Sequence, residues 1–415
     1  MERIMLKDVC DIFDGPHATP QKTKTGPVYL GIDAITEDGR LDETEFAHLS
    51  VSDYEKWTRR VTPIEGDIVF SYEATLGRYA IIPKGFYGCL GRRLAVIRNK
   101  SESINTKWLY YYFRSPEWKA FIARNTVKGS TVNRISVEDF PKYTIPLVER
   151  EQQDQVAKVL GMLDEKIATN DAINDNLQQQ IKLLYDYWFS QFDFPNAEGA
   201  PYKTSGGEME YSDRLKRFIP IGWTVESVID NSISAPIKPG VEVFDQKTYL
   251  ATADVNGTTI SPGSIIDFEN REGRANMQPT VSSVWFAKMK NSIKHLYLNK
   301  QMQPIIDSTI LSTGFCGLQC SEQSFEYIAA FIEHSYFESV KDVLAHGATQ
   351  ESVNNDDLLG LVMVVPKNEI LDLFHRSTAP MYAQISKNLC ESQQLTKLRD
   401  WLLPMLMNGQ AIVGD

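Results

Sequence analysis

Basic and amide side chains in this sequence gather in short polar stretches that hold glycine, tyrosine or threonine. His17 and Thr19 sit in a Gly-Pro-His-Ala-Thr-Pro stretch that leads to Lys22 and Lys24. Tyr72, Thr75 and Arg78 share a second stretch, YEATLGR, and Arg92 and Arg93 a third, CLGRR. Lys128, Ser130, Thr131, Asn133 and Arg134 lie in KGSTVNRI. Further along come Lys238, Arg271, Arg274, Asn276, Gln278, Lys288 and Lys290, and then Thr349 and Gln350 in HGATQESV. Such groups can donate to phosphates. Arg can also pair bidentately with guanine, and Asn or Gln with adenine, along the edges exposed in a major groove. Taken one at a time, each reads better as a solvated loop group. As a set, on a duplicated frame, they point to nucleic acid.

Other chemistries lack their constellations. The sequence has no phosphate-binding GxxxxGK[ST] loop, no dinucleotide GxGxxG, no HExxH and no GxSxG elbow. It also lacks a zinc deaminase pair and an Asn/Asp-Pro-Pro-aromatic methyltransferase loop. Asp33, Asp42, Glu43, Glu45, Asp67 and Glu73 could be paired into a carboxylate site, but solvated loop carboxylates are the commoner case. Cys316 and Cys320 have no histidine at ligand spacing, so they read as buried free thiols, with no metal.

The elements that would carry the polar stretches come in two similar runs. In residues 1–150, short strand-like segments at 28–32, 67–70 and 94–97 are separated by turn residues. A helix is expected near 106–126, broken at Pro116. In residues 220–366 the plan recurs, with strand-like 247–251 and 284–287 and a helix near 324–344. In both runs the helix leads to a polar glycine turn and a strand ending in proline, at Pro146 and Pro366. This is an internal duplication with a period near half the chain.

A long helix is expected after each run. Val156, Leu160, Leu163, Ile167, Asn170, Asn174, Leu177, Ile181, Leu184 and Trp188 follow alternating four- and three-residue steps. The same steps pick out Ile370, Phe374, Ser377, Met381, Gln384, Asn388, Glu391, Leu395, Leu398 and Leu402. Both seams are apolar at the ends and polar in the middle. Asn170, Asn174, Gln384 and Asn388 would fix register, because slippage would bury amides against leucine. Antiparallel pairing follows; the alternative is two amphipathic helices packed on separate domains. Pro380 is expected to interrupt the second helix early. The glycine- and proline-rich stretch 193–222 reads as surface coil.

Bulk numbers set limits. The 415 residues exceed one ordinary core, and no apolar run is long enough to span a membrane. The first ten residues lack the apolar core of a signal peptide. Five scattered cysteines, odd in number, favour a reducing compartment. The net charge of −11 argues against nucleic acid when taken alone. Much of the acid, however, lies in the helices and the 193–226 stretch (Asp154, Asp164, Glu165, Asp171, Asp175, Glu198, Glu208, Glu210, Glu226). An acidic exterior can coexist with a basic reading face.

This order of parts resembles the specificity subunits of Type I restriction–modification systems. The resemblance covers nearly the whole chain. It rests on IPL leading into EQQ at 145–153, YWF and FDFP at 187–195, YKTSGGEM at 202–209, IPIGW at 219–223, and GDIVF with EATLG at 66–77. STGF at 312–315 looks like the matching late strand, whereas TVSSVW at 280–285 stands where a Gly-Asp strand is expected.

The resemblance implies an α+β protein. Two α/β target-recognition domains with mostly β cores would be separated by two long helices, paired as an antiparallel coiled coil and duplicated about a pseudo-twofold. The divisions would be 1–150, the central spacer helix 151–192, linker and second domain 193–366, and the second spacer helix 367–415. It also implies a non-catalytic reader of a bipartite, asymmetric site in double-stranded DNA. Its partners would be two adenine-N6 methyltransferase (M) subunits and restriction/translocase (R) subunits, with no membrane. S-adenosylmethionine, ATP and magnesium would sit on those partners, leaving no cofactor in this chain. Two other readings stay open: a coiled-coil adaptor that binds proteins without reading DNA, and a DNA enzyme with an unfamiliar site.

Overall fold

The computed structural model describes residues 2–129, 132–348 and 350–411. The chain divides into two compact units, Met1–Glu165 with Leu395–Asp415, and Lys166–Gln394. Among the described residues no helix is long and apolar enough to cross a membrane.

The first unit is built on a four-stranded antiparallel sheet in the order Cys10–Asp14, Leu94–Asn99, Ile68–Ser71, Tyr79–Ile81. Side chains alternate across a strand, and here both faces are covered, so the strands read as continuous apolar runs. Ile68, Phe70, Ala95 and Ile97 face a core shared with Trp108, Phe113 and Trp118. Val69, Leu94 and Val96 face another, shared with Leu30, Ile35 and Leu90. The second of these cores is covered by a three-stranded sheet, Ala47–His48, Thr23–Leu30, Gly88–Leu90, whose last pair is parallel.

The helices on the first face are Thr106–Arg114 and Pro116–Asn125. Asn105 caps the first by accepting from the Trp108 N–H at 3.0 Å. Ser115 ends it and caps the next, accepting from the Trp118 N–H at 3.2 Å, with Pro116 in the first turn. The break expected at Pro116 is therefore a cap-to-cap junction.

The second unit repeats this topology. Its four-stranded sheet runs Ser234–Pro236, Phe315–Cys320, Ser283–Ala287, His295–Leu298, again antiparallel throughout. A neighbouring sheet contains the parallel pair Lys247–Leu250 with Thr309–Ser312, which matches Thr23–Leu30 with Gly88–Leu90. Val284 and Phe286 face one core, Trp285 and Ala287 another. The expected single helix near 324–344 is two, Phe325–Glu333 and Ser335–Leu344. His334 plays the part of Ser115, its ring Nδ1 accepting from the Tyr336 N–H at 3.1 Å. Cys10, Cys89, Cys316 and Cys320 are free and buried, and burial pushes the Cys316 thiol up to about 12.

The two long helices are Arg150–Tyr185, prolonged by a π turn over Asp186–Ser190, and Asn368–Met407. They pair within each unit. In the first, Val156 and Leu160 share a core with Leu403 and Leu406, and Arg399 reaches Asp164 at 2.8 Å. In the second, Asn170 donates to Glu391 at 2.8 Å, Asn388 donates to Asn174 at 2.8 Å, and Trp188 packs on Phe374 with ring centroids 5.6 Å apart. Partners fall in number on one helix as they rise on the other, so the pair is antiparallel.

Three expectations need correction. First, the seam of the second helix uses the other phase of the same repeat. Thr378, Ile385 and Arg399 are buried, whereas Ser377 and Gln384 are exposed and Leu398 is 42% exposed. The two phases share Phe374, Met381, Asn388, Leu395 and Leu402, so the pattern alone does not choose between them. Gln384 lies outside the seam and buttresses it, donating to Asn388 at 2.6 Å.

Second, Pro380 does not break the helix. It lies on the exposed side with Arg376, whose carbonyl is the one deprived of a partner and can face water. Third, the 193–222 stretch is folded. Met209–Ser212 pairs with Arg217–Pro220 as a hairpin, and Phe194 stacks between Tyr202 and Trp223 at 4.6 and 5.0 Å. Its aromatic residues supply the core that its glycines and prolines concealed.

The buried amides yield a prediction. Asn388→Leu leaves the Asn174 carbonyl oxygen without its donor and should cost about 1–3 kcal/mol in thermal or denaturant unfolding. Replacing both Asn174 and Asn388 by leucine should recover most of that loss. Strict additivity of the two changes would rule out the pairing.

Candidate nucleic-acid interface

In the first unit, main-chain hydrogen bonds gather several of the polar stretches at one end of the four-stranded sheet. The Tyr72 N–H donates to the Arg93 carbonyl at 3.1 Å, the Ile135 N–H to the Tyr72 carbonyl at 2.7 Å, and the Gly15 N–H to the Leu94 carbonyl at 3.0 Å. Val127 and Arg134 exchange bonds of 2.9 and 3.1 Å. Gly15 is required, since a Cβ there would lie 2.6 Å from the Leu94 carbonyl oxygen. Arg93, at φ 74°, occupies the left-handed region, which side chains other than glycine rarely enter.

The side chains on this frame form a charged rim. Arg93 Nε lies 3.2 Å from Glu73 Oε1. His17 Nε2 lies 2.7 Å from Asp14 Oδ2, and Arg60 Nη1 is 3.3 Å from the same oxygen. Tyr72 is buried, and burial, with Asp14 beside it, raises its hydroxyl well above the ordinary range. Thr19, Lys22, Lys24, Thr75, Arg92, Lys128, Asn133 and Arg134 are exposed. The Arg92 N–H is tied to the Tyr29 hydroxyl at 3.1 Å. Arg78 is turned to a structural task, donating to the Ile35 carbonyl at 2.9 Å. Ser130 and Thr131 lie outside the described residues, as does Thr349.

The second unit builds the same frame from different residues. The Lys288 N–H donates to the Gly314 carbonyl at 2.9 Å, and the Val353 N–H to the Lys288 carbonyl at 3.0 Å. His346 and Ser352 exchange bonds of 3.2 and 3.1 Å. Lys288 thus stands where Tyr72 stands, Gly314 where Arg93 stands, and Val353 where Ile135 stands. Lys290 pairs with Glu351 at 2.7 Å, and Gln350 donates to the Met289 sulfur at 3.5 Å. Arg274 is exposed, and its carbonyl accepts from the Thr313 N–H at 2.9 Å, which sets it beside Gly314. The Asn276 carbonyl accepts from the Gly240 N–H at 2.8 Å, close in sequence to exposed Lys238. Arg271 instead lies over Phe268, 4.0 Å from the ring centroid, and Gln278 bonds the Pro279 carbonyl at 3.3 Å.

Sequence reasoning missed Asp14 and Arg60, and set Glu73 aside as a surface carboxylate. Asp14 adjoins a turn that was already singled out. Arg60 has no local signal, because it reaches the rim through tertiary folding.

A buried charge cluster supports the second frame from below. Lys341, fully buried, donates to the Ala287 and Ser292 carbonyls at 3.3 and 3.1 Å and lies 2.6 Å from Glu338. The Asn291 N–H donates to Asp342 at 3.0 Å, so one helix holds both limbs of the 288–292 turn. His295 sits between Glu333 at 3.3 Å and Glu338 at 2.8 Å. Burial alone would lower the His295 pKa, but its bonds to the two glutamates outweigh burial and raise it. A raised histidine pKa gives stability that is full below the unfolded value, about 6.5, and lost as pH rises through the folded one. Wild-type unfolding temperature should therefore decline above about pH 6.5, and His295→Gln should flatten that decline. An unchanged slope in the variant would remove His295 as its source.

Comparison with known proteins follows the same lines. Residues 1–179 match the Type I restriction modification DNA specificity domain. The chain is 23% identical over 373 residues to the Type I restriction enzyme MjaIX specificity subunit of Methanocaldococcus jannaschii, covering 86% of this chain and 80% of that one. It is 20% identical over 413 residues to the HindI specificity subunit of Haemophilus influenzae, covering 83% and 86%. A solved Type I restriction–modification S subunit from M. genitalium aligns over 98% of this chain and 95% of its own at 12% identity, with a TM-score of 0.49. The resemblance read from the residues and the non-catalytic reading both agree with the two specificity subunits and the domain match. Residues 1–179 are thus similar to the Type I restriction modification DNA specificity domain, and along most of its length this chain is similar to the specificity subunits of Type I restriction enzymes.

Proposed function

We propose that this chain is the sequence-reading subunit of a Type I restriction–modification complex, with each unit reading one half of a bipartite, asymmetric site in double-stranded DNA. The observation that carries this reading is the repeated frame. The same main-chain hydrogen bonds are built twice, at Tyr72, Arg93 and Ile135 and at Lys288, Gly314 and Val353, and carry different side chains each time. A conserved geometry with changed donors and acceptors is what two half-sites of unlike sequence demand. The exposed lysines and arginines around each frame supply phosphate contacts, so binding should weaken steeply with salt.

The chain directs chemistry that others perform. Two adenine-N6 methyltransferase subunits bring S-adenosylmethionine. Restriction/translocase subunits bring ATP and magnesium. The paired helices act as spacer and dock. A helix of 36 residues is about 54 Å long, and its length sets the unread gap between half-sites.

Adding one seven-residue repeat to each long helix preserves the seam and lengthens it by about 10 Å, equivalent to roughly three base pairs. In the reconstituted methyltransferase, mapping of methylated adenines should show a longer gap between unchanged half-sites. Altered half-sites with an unchanged gap would defeat the spacer role. Methylation or cleavage by the purified chain alone would defeat the non-catalytic one.

A further inference from the structure

Resting on the DNA reading above, we infer that Arg93 is the guanine-reading residue of the first unit and that Glu73 is its positioning residue. Three observations converge. The Arg93 main chain is held: its carbonyl accepts from the Tyr72 N–H at 3.1 Å, and at φ 74° it sits in the left-handed region that a side chain occupies only where its surroundings impose it. The side chain is half-buried in the rim, unlike its exposed neighbour Arg92. Its Nε faces Glu73 Oε1 at 3.2 Å.

That carboxylate decides what the guanidinium can bind. With Glu73 beside it, Arg93 offers little net charge, and a phosphate brought to it would meet Glu73 as well. Its terminal N–H groups still point in a fixed fork. A neutral partner with two adjacent acceptors suits this arrangement, and guanine O6 and N7 in the major groove provide that pair. Nε itself is buried beside Glu73, out of reach of a ligand, which leaves an end-on approach to the base through the terminal nitrogens. Exposed Arg92 and Lys22, which carry no such neighbour, suit phosphates.

The second unit supplies an internal control. Gly314 occupies the place of Arg93 on its frame and has no side chain to read with, so only one half-site should depend on this contact. Arg93→Gly installs the residue found at that equivalent place and is compatible with the left-handed backbone. It is therefore the variant least prone to misfold.

The test is selection of duplexes from a random pool by the full chain assembled with its methyltransferase subunits. Wild type, Arg93→Gly, Arg93→Lys, Glu73→Ala and Arg92→Ala are compared. Wild type should enrich a guanine at one position of one half-site. Arg93→Gly should relax that position roughly ten- to hundredfold and leave the other half-site intact, which also shows that the chain is folded. Arg93→Lys should fail to restore it, since lysine lacks the fork. Glu73→Ala should blur the same position while non-specific affinity rises, a combination that loss of fold would not give. Arg92→Ala should leave the motif alone and reduce the salt slope by about 1.

If Arg93→Gly retains the full motif, or lowers the salt slope as Arg92→Ala does, Arg93 is a phosphate contact and the inference fails. A wild-type pool with no enriched motif would overturn the DNA reading itself, and this inference with it.

Discussion

The candidate interface depends first on peptide groups, with side chains such as Lys341 bracing them from below. A few main-chain hydrogen bonds between strand ends and the residues that follow the helices fix where the candidate positions stand. Because the peptide group is common to all residues, the frame survives almost any change in what it displays. That is why Tyr72 and Lys288, or Arg93 and Gly314, can occupy matching places without disturbing the sheets beneath. The sheets meet their part of the arrangement by burying both faces, so that strand ends emerge in a fixed relation. Precision resides in the backbone and variability in the side chains.

The helices use a different principle. Along most of the seam, apolar burial supplies stability without choosing a unique register. The asparagines make the choice, since Asn388 can satisfy Asn174 in one alignment, and a shift by a heptad would strand both amides. Asp164 does similar work in the first unit, where it receives both Arg399 at 2.8 Å and the Tyr111 hydroxyl at 2.7 Å. Buried charge of this kind is poor glue but a good gauge of position, because any misfit leaves it unpaired.

Much of this was legible in the sequence. The duplication, the principal strands, the break at Pro116 and the two long seams all rest on local pattern, which is written in consecutive residues. What was not legible depends on partners distant in sequence. The phase of the second seam turns on which of two overlapping stripes meets the other helix. Pro380 is harmless only because its side of the helix faces water. The stretch 193–222 looked like coil because its glycines and prolines outnumber its aromatics, yet Phe194, Tyr202 and Trp223 find one another. At the interface, local pattern found most of the exposed bases but not Asp14 and Arg60, and it could not tell that Arg78 is occupied elsewhere.

The folding of that stretch matters for motion. A slack tether would let the sheets of the second unit wander independently of the helix they follow. Instead the chain passes from the π turn at Asp186–Ser190 straight into an aromatic stack and a hairpin, with little free contour between them. The second unit's sheets are thus tied to their own end of the first long helix by packed aromatic rings rather than by slack chain.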